Sequence, residues 1–231
     1  MARRARIVLP GFPHHVTQRG NRRQQTFFED ADYALYRDLM AAACATHGVR
    51  CWAWCLMPNH VHLVLEPSRA EALARTVGHA HWHYTQRINA REGWTGFLWQ
   101  GRFASCAMDE GHALAAVRYV ENNPVAARLC EQAQDWPWSS ARCHVDGKPD
   151  GLTQTAPWLD RIADWPRYLA EGTSPREEML LGDFTQTGYP LGEDAWIADL
   201  ETKSARRLRP GSPGRGRSAG EGDGQLDMRR P

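Results

Sequence analysis

The chain has 231 residues, 42% hydrophobic and 24% charged, enough for one well-buried domain with an extension. A mini-protein dependent on covalent or metal staples is excluded. No stretch approaches the roughly 20 apolar residues of a membrane-spanning helix, which excludes a bilayer span. The net charge of +1 conceals an asymmetry: residues 1–107 carry +6, residues 108–202 carry −10 and residues 203–231 carry +5. Arg3, Arg4, Arg6, Arg19, Arg22 and Arg23 all precede the first acid, Glu29, a distribution that suits an anionic partner. The six cysteines, Cys44, Cys51, Cys55, Cys106, Cys130 and Cys143, include no C-x-x-C pair, and the apolar run after Arg6 breaks at Pro10 without forming a secretory signal. Reduced thiols in a cytoplasm are therefore expected.

In chain order, His14 to Arg19 reads as a strand, Gly20-Asn21 as a turn, and Asp30 as the cap of a helix running to about His47 and ended by Gly48. Leu35, Leu39 and Met40 mark that helix's apolar side. Cys51 to Met57 and His60 to Glu66 flank Pro58-Asn59 and predict a hairpin. A helix from Arg69 to about Arg91, a strand near Arg102 to Met108 and a helix from Glu110 to Asn123, stopped by Pro124, follow. The first six elements predict an α+β fold with a ferredoxin-like antiparallel sheet and two crossover helices. The seventh is an appended helix able to cover part of the free sheet face. Beyond Trp138, prolines punctuate an accessory helical region, and residues 203–231 have the composition of a disordered basic tail.

Two patterns carry chemistry. His60 and His62 lie two apart on a predicted strand, so both imidazoles project from the face opposite Val61, Leu63 and Leu65. With an amide or carboxylate oxygen beside them they suit a divalent ion such as Mg2+ or Mn2+. Tyr119 and Asn123 lie four apart on the last helix and share a face. A phenol and an amide oxygen are thus presented together, with Asn122 the alternative ligand because Pro124 disfavours helical backbone at Asn123. The histidines His79, His81 and His83 lack an H-E-x-x-H pattern and read as packing or DNA-contact residues. Arg19, Arg22, Arg23, Arg87, Trp99, Gln100 and Arg102 form candidate DNA contacts, the aromatic for stacking and the cations for phosphates.

The motifs HHVTQRGN, MPNHVHLVLE, FLWQGRF, RYVENNP and WPWSS, in this order, resemble those of single-tyrosine HUH transposases of the insertion-sequence type, in the branch called REP-associated tyrosine transposases. The likeness spans residues 1–142 and departs from the branch at Ala126 and His14, positions that bear on DNA contacts. It implies a ferredoxin-like fold and a tyrosine, Tyr119, that becomes joined to a DNA 5′ phosphate. It also implies a divalent metal, Mg2+ or Mn2+, on His60, His62 and Asn123. The expected enzyme is a cytoplasmic, nucleoid-associated transposase that cleaves and rejoins single-stranded DNA next to hairpins or REP-like elements, as a monomer or homodimer. The rival expectation is a hairpin-binding protein with a vestigial site. Residues 1–142 form the expected HUH domain and residues 143–202 the accessory region. In residues 203–231, Lys203, Arg206, Arg207, Arg209, Arg215 and Arg217 suit either phosphate contacts or docking onto the acidic block.

Overall fold

The computed structural model describes residues 6–209. Strands β1 (His14–Arg19), β2 (Val49–Met57), β3 (His60–Pro67) and β4 (Ala104–Ala107) form one sheet in the order β2-β3-β1-β4. Every neighbouring pair is antiparallel. Helices α1 (Asp30–His47) and α2 (Ala72–Glu92) are the two crossovers, which gives the ferredoxin-like α+β arrangement that the element order predicts.

Alternation along the strands splits the apolar residues between two cores. Val16, Leu56, Val61, Leu63 and Leu65 face α1 and α2, where they meet Tyr36, Met40, Leu73, Val77, Tyr84 and Ile88. Met40 is buried as expected, whereas Leu35 and Leu39 are only partly covered. Arg91, at the end of α2, ties the two helices together through Asp32 at 2.6 Å and Glu29 at 2.7 Å. The cap of α1 is Glu29, one residue before the expected Asp30, because Asp32 reaches back to accept from the backbone N–H of Phe28 and Glu29. Gly48 ends the helix in the left-handed region at φ 68°, and a Cβ there would lie 2.7 Å from Ser68 Oγ, so only glycine fits.

The opposite sheet face carries Ala53, Cys55, Met57, Val64 and Cys106. Helix α3 (Glu110–Ala126) lies across it, and its Ala113, Ala116, Val117 and Val120 pack against these side chains. A bulge between Cys51 and Ala53 places Trp52 on this face as well. Helix α3 does not stop at Pro124: it runs through it to Ala126. The proline forfeits only its own N–H, and Ala127 and Leu129 continue the turn by donating to Asn123 and Pro124 carbonyls.

The chain beyond α3 closes both sheet edges, where unpaired strands would otherwise be exposed. The WPWSS segment runs beside β2, with Leu56 donating to the Trp138 carbonyl and Ser140 to that of Trp54. At the other edge Leu191 donates to Ala107. Four helices build this part: α4 (Ala141–Asp146), α5 (Trp165–Ala170), α6 (Pro175–Thr187) and α7 (Asp194–Ser204). Past α7, Leu208 packs with Ile7, Ile197 and Leu200. Lys203 belongs to α7 and pairs within it with Asp199, and Arg209 pairs with Asp194. Most of the expected tail, residues 210–231, lies outside the described residues, with Arg215 and Arg217 among them. Among the described residues no helix is long and apolar enough to cross a membrane.

Candidate active site

Strand β3 presents His60 and His62 on the face that α3 covers, with ring centroids 5.0 Å apart. Thr17 and Arg19 of β1 stand opposite them in register. Helix α3 brings Tyr119 against His62 and His15: its ring meets theirs in T-shaped contacts with centroids 5.5 and 5.9 Å apart. Asn123, one turn on, donates Nδ2 to the Tyr119 carbonyl at 2.8 Å, which leaves Oδ1 as its free donor atom for a cation. Asn122 instead donates to the Leu169 carbonyl of α5 at 2.9 Å. Tyr119 stands between two cavities of about 630 and 590 Å³, both of which it lines.

Each imidazole of the pair is held through its inner nitrogen. His60 Nδ1 lies 2.7 Å from Asn59 Oδ1, and Asn59 is itself fixed by donating Nδ2 to the Arg23 carbonyl. An amide oxygen only accepts, so the His60 proton sits on Nδ1 and the Nε2 lone pair is free. His62 Nδ1 lies 3.0 Å from His15 Nε2. Burial, with Arg19 adding to it, pushes His60 down to about 4. Burial also holds His62 well below the usual histidine range, with His15 and His60 contributing, and brings His15 to about 3. These are neutral rings, the form that ligates metals. Tyr119 is held above its ordinary value by burial and by Glu178, with Asn123 and Arg19 opposing.

Two neutral imidazoles, each oriented through Nδ1 by an outer partner, fit a divalent ion in their chemistry. Among the described residues no group of three or more His, Cys, Asp or Glu could hold a metal ion.

Of the candidate DNA contacts, Arg19, Arg23, Gln100 and Arg102 line one polar cavity of about 410 Å³ with Thr17, Gln18 and Gln186. Arg22 and Arg23 are exposed in the loop after β1, both at left-handed φ of 54° and 61°. Arg87 is exposed on α2, apart from that cavity. Trp99 is a correction: it is 7% exposed and packed in the α1–α2 core, stacked on His81 at 4.4 Å, so no base can reach its face. The exposed aromatic of that segment is Phe97, at 87%. His81 also belongs to the core, bonded through Nε2 to the Tyr36 hydroxyl at 2.8 Å, while His79 and His83 are exposed. Sequence reasoning missed His15, Asn59 and Glu178. The first was signalled only by sharing the parity of Thr17 within HHVT, which means nothing until the register with His62 is known.

Residues 11–123 match the family model described as IS200-like transposase. This part of the chain belongs to the IS200-like transposase family. The matched segment runs from the residues before β1 to Asn123 and so holds His60, His62 and Tyr119. The fold is similar to that of a REP-associated tyrosine transposase solved bound to a REP hairpin, at 22% identity and a TM-score of 0.51, over 68% of this chain and 93% of that one. A candidate transposase from Deinococcus radiodurans R1 aligns at 16% identity and a TM-score of 0.37, over 55% of this chain and 92% of that one. No curated protein matches.

Proposed function

We propose that this transposase cleaves and rejoins single-stranded DNA beside hairpins through a 5′-phosphotyrosine on Tyr119, with His60, His62 and Asn123 as ligands of Mg2+ or Mn2+. The observation that carries the reading is the T-shaped contact of the Tyr119 ring with His62, centroids 5.5 Å apart. A phenol ring beside a ligand imidazole whose Nδ1 is already engaged suits a nucleophile next to a metal-held phosphate. In the first step the Tyr119 oxygen, having lost its proton, bonds to phosphorus, and the 3′ oxygen leaves to become a 3′ hydroxyl. Attack by another 3′ hydroxyl on the phosphotyrosine reverses the exchange and joins the strands, with no net change in the number of phosphodiester bonds. A bound Mg2+ or Mn2+ would supply Lewis-acid stabilisation of charge on the phosphoryl oxygens.

The chain's own residues account for the rest. Arg19 faces His60 and acts electrostatically on both it and Tyr119, which suits it to a phosphate oxygen. Arg23, Gln100 and Arg102 extend that basic surface along the cavity beside β1, and Phe97 offers a ring on which a base can stack. The fold neighbour was solved with a REP hairpin, which favours an imperfect DNA hairpin as the partner here.

The test is incubation of the full chain with end-labelled single-stranded hairpin DNA and Mn2+. A complex that survives denaturing gels, lost on chelation and converted to longer strands when a free 3′ hydroxyl is supplied, is expected. His60→Ala and His62→Ala should weaken the metal-dependent cleavage. Binding without any covalent complex would select the rival reading of a non-catalytic hairpin binder.

A further inference from the structure

We infer that Thr185 of α6 and His15 of β1 form a hydrogen-bonded relay that supports the metal-binding tautomer of His62. The residues beyond the matched transposase segment thereby become part of the metal site. The inference rests on the proposed metal site and deepens it.

The relay is a row of buried side chains from four elements, β3, β1, α6 and β4. His62 Nδ1 meets His15 Nε2 at 3.0 Å, His15 Nδ1 meets Thr185 Oγ1 at 2.7 Å, and Thr185 Oγ1 meets Cys106 Sγ at 3.3 Å. All four residues are buried, so water does not substitute for a missing partner. A neutral imidazole carries one N–H and one lone pair, and the protons along the row must therefore point the same way. In one polarity His62 Nδ1–H donates to His15, His15 Nδ1–H donates to Thr185, and the Thr185 hydroxyl donates to the Cys106 sulfur. The His62 Nε2 lone pair is then free to ligate a cation. In the opposite polarity the proton of His62 sits on Nε2, and the ring cannot ligate through that atom.

The Thr185 hydroxyl serves both polarities, since it can accept from His15 Nδ1–H or donate to a bare Nδ1, and a cation on His62 Nε2 would draw the row into the first. In that first polarity the hydroxyl is the acceptor that the His15 Nδ1–H requires, and without it that donor would be buried and unpaired. Removing the hydroxyl favours the other His15 tautomer, whose Nε2–H donates to His62 and moves the His62 proton to Nε2. His15 and Thr185 are thus positioning residues that act through His62. Outer partners of metal-bound histidines typically matter by about 10- to 100-fold in metal affinity.

The relay is read directly in metal-free protein by two-bond 15N–1H spectra of the labelled histidines, and Mn2+ affinity is measured by calorimetry. Wild type and Thr185→Ser are expected to populate the Nδ1-protonated form of His62 and to bind Mn2+ alike. The near-isosteric Thr185→Val is expected to show Nε2 protonation and a Kd for Mn2+ raised about 10- to 100-fold. Thr185→Ala, which adds no bulk, replaces it if Thr185→Val fails to fold. A Thr185→Val protein that keeps the Nδ1 tautomer, or that binds Mn2+ as wild type does, overturns the relay. His60→Ala separates the layers: unchanged Mn2+ affinity in that variant defeats the metal site itself, while the tautomer spectra still decide the relay.

Discussion

Replacing Tyr119 by Phe is expected to eliminate the covalent protein–DNA complex, lowering strand cleavage by at least about 10³-fold, as loss of a nucleophile does in other covalent enzymes. Hairpin affinity should barely change. The substitution removes one oxygen and keeps the ring that packs on His15 and His62, so the site's shape survives. No other tyrosine is placed to take over. Tyr84, the nearest alternative by sequence, is fully buried and donates its hydroxyl to the Thr26 carbonyl at 2.6 Å. Gel quantitation of the complex beside a binding titration measures both effects, and an undiminished complex in Tyr119→Phe would remove the residue from its assigned role.

The second large effect concerns what holds Tyr119 in place. Two residues after it on α3, Glu121 is wholly buried and accepts from Ser140 Oγ and from His144 Nδ1. Ser140 in turn accepts from the Trp54 backbone N–H of β2 at 3.0 Å, and His144 stacks on Trp165 at 4.2 Å. The carboxylate therefore joins α3, the sheet edge and α4. Glu121→Ala leaves a buried imidazole and hydroxyl without their acceptor, and a loss of about 3–5 kcal/mol is expected, the usual cost of breaking a buried pair from one side. At roughly 2–4 °C per kcal/mol for a chain of this size, thermal melting reports it readily.

The same pair sets a pH dependence. Burial lowers the His144 pKa, but the Glu121 charge and hydrogen bond outweigh it and the net shift is upward. A histidine whose folded pKa is raised stabilises fully below its unfolded value of about 6.5 and loses that contribution as pH climbs through the folded value. Stability of the wild type should thus fall across that window. Glu121→Gln, which keeps the shape and removes the charge, should flatten the fall, and denaturant titrations on both sides of the window test it.

Much of the site was readable because it obeys local periodicities. A spacing of two on a strand and of four on a helix put His60 with His62 and Tyr119 with Asn123 on shared faces, and the structure lays those faces against each other. The element order carried the sheet topology for the same reason. What escaped was long-range. His15 matters through a cross-strand register, and Thr185 meets it across 170 positions of sequence. Glu121 and Ser140 sit inside the RYVENNP and WPWSS motifs, yet their contact depends on how α3 docks on β2. Trp99 misled because an aromatic beside Gln100 and Arg102 looks like a stacking platform, whereas the gap between α1, α2 and the sheet needed its volume. Pro124 misled in the opposite direction, since a proline in the last turn of a helix costs one hydrogen bond and not the helix.

The central claim is that Tyr119 is the atom donor of a DNA–protein bond. It is tested most directly by trapping the full chain on hairpin DNA with Mn2+, digesting the complex with protease and nuclease, and mapping the modified peptide by mass spectrometry. A nucleotide joined through its 5′ phosphate to Tyr119, in the peptide that also contains Asn123, is the predicted result. A nucleotide on any other residue, or cleaved DNA ends with no modified peptide, would contradict it.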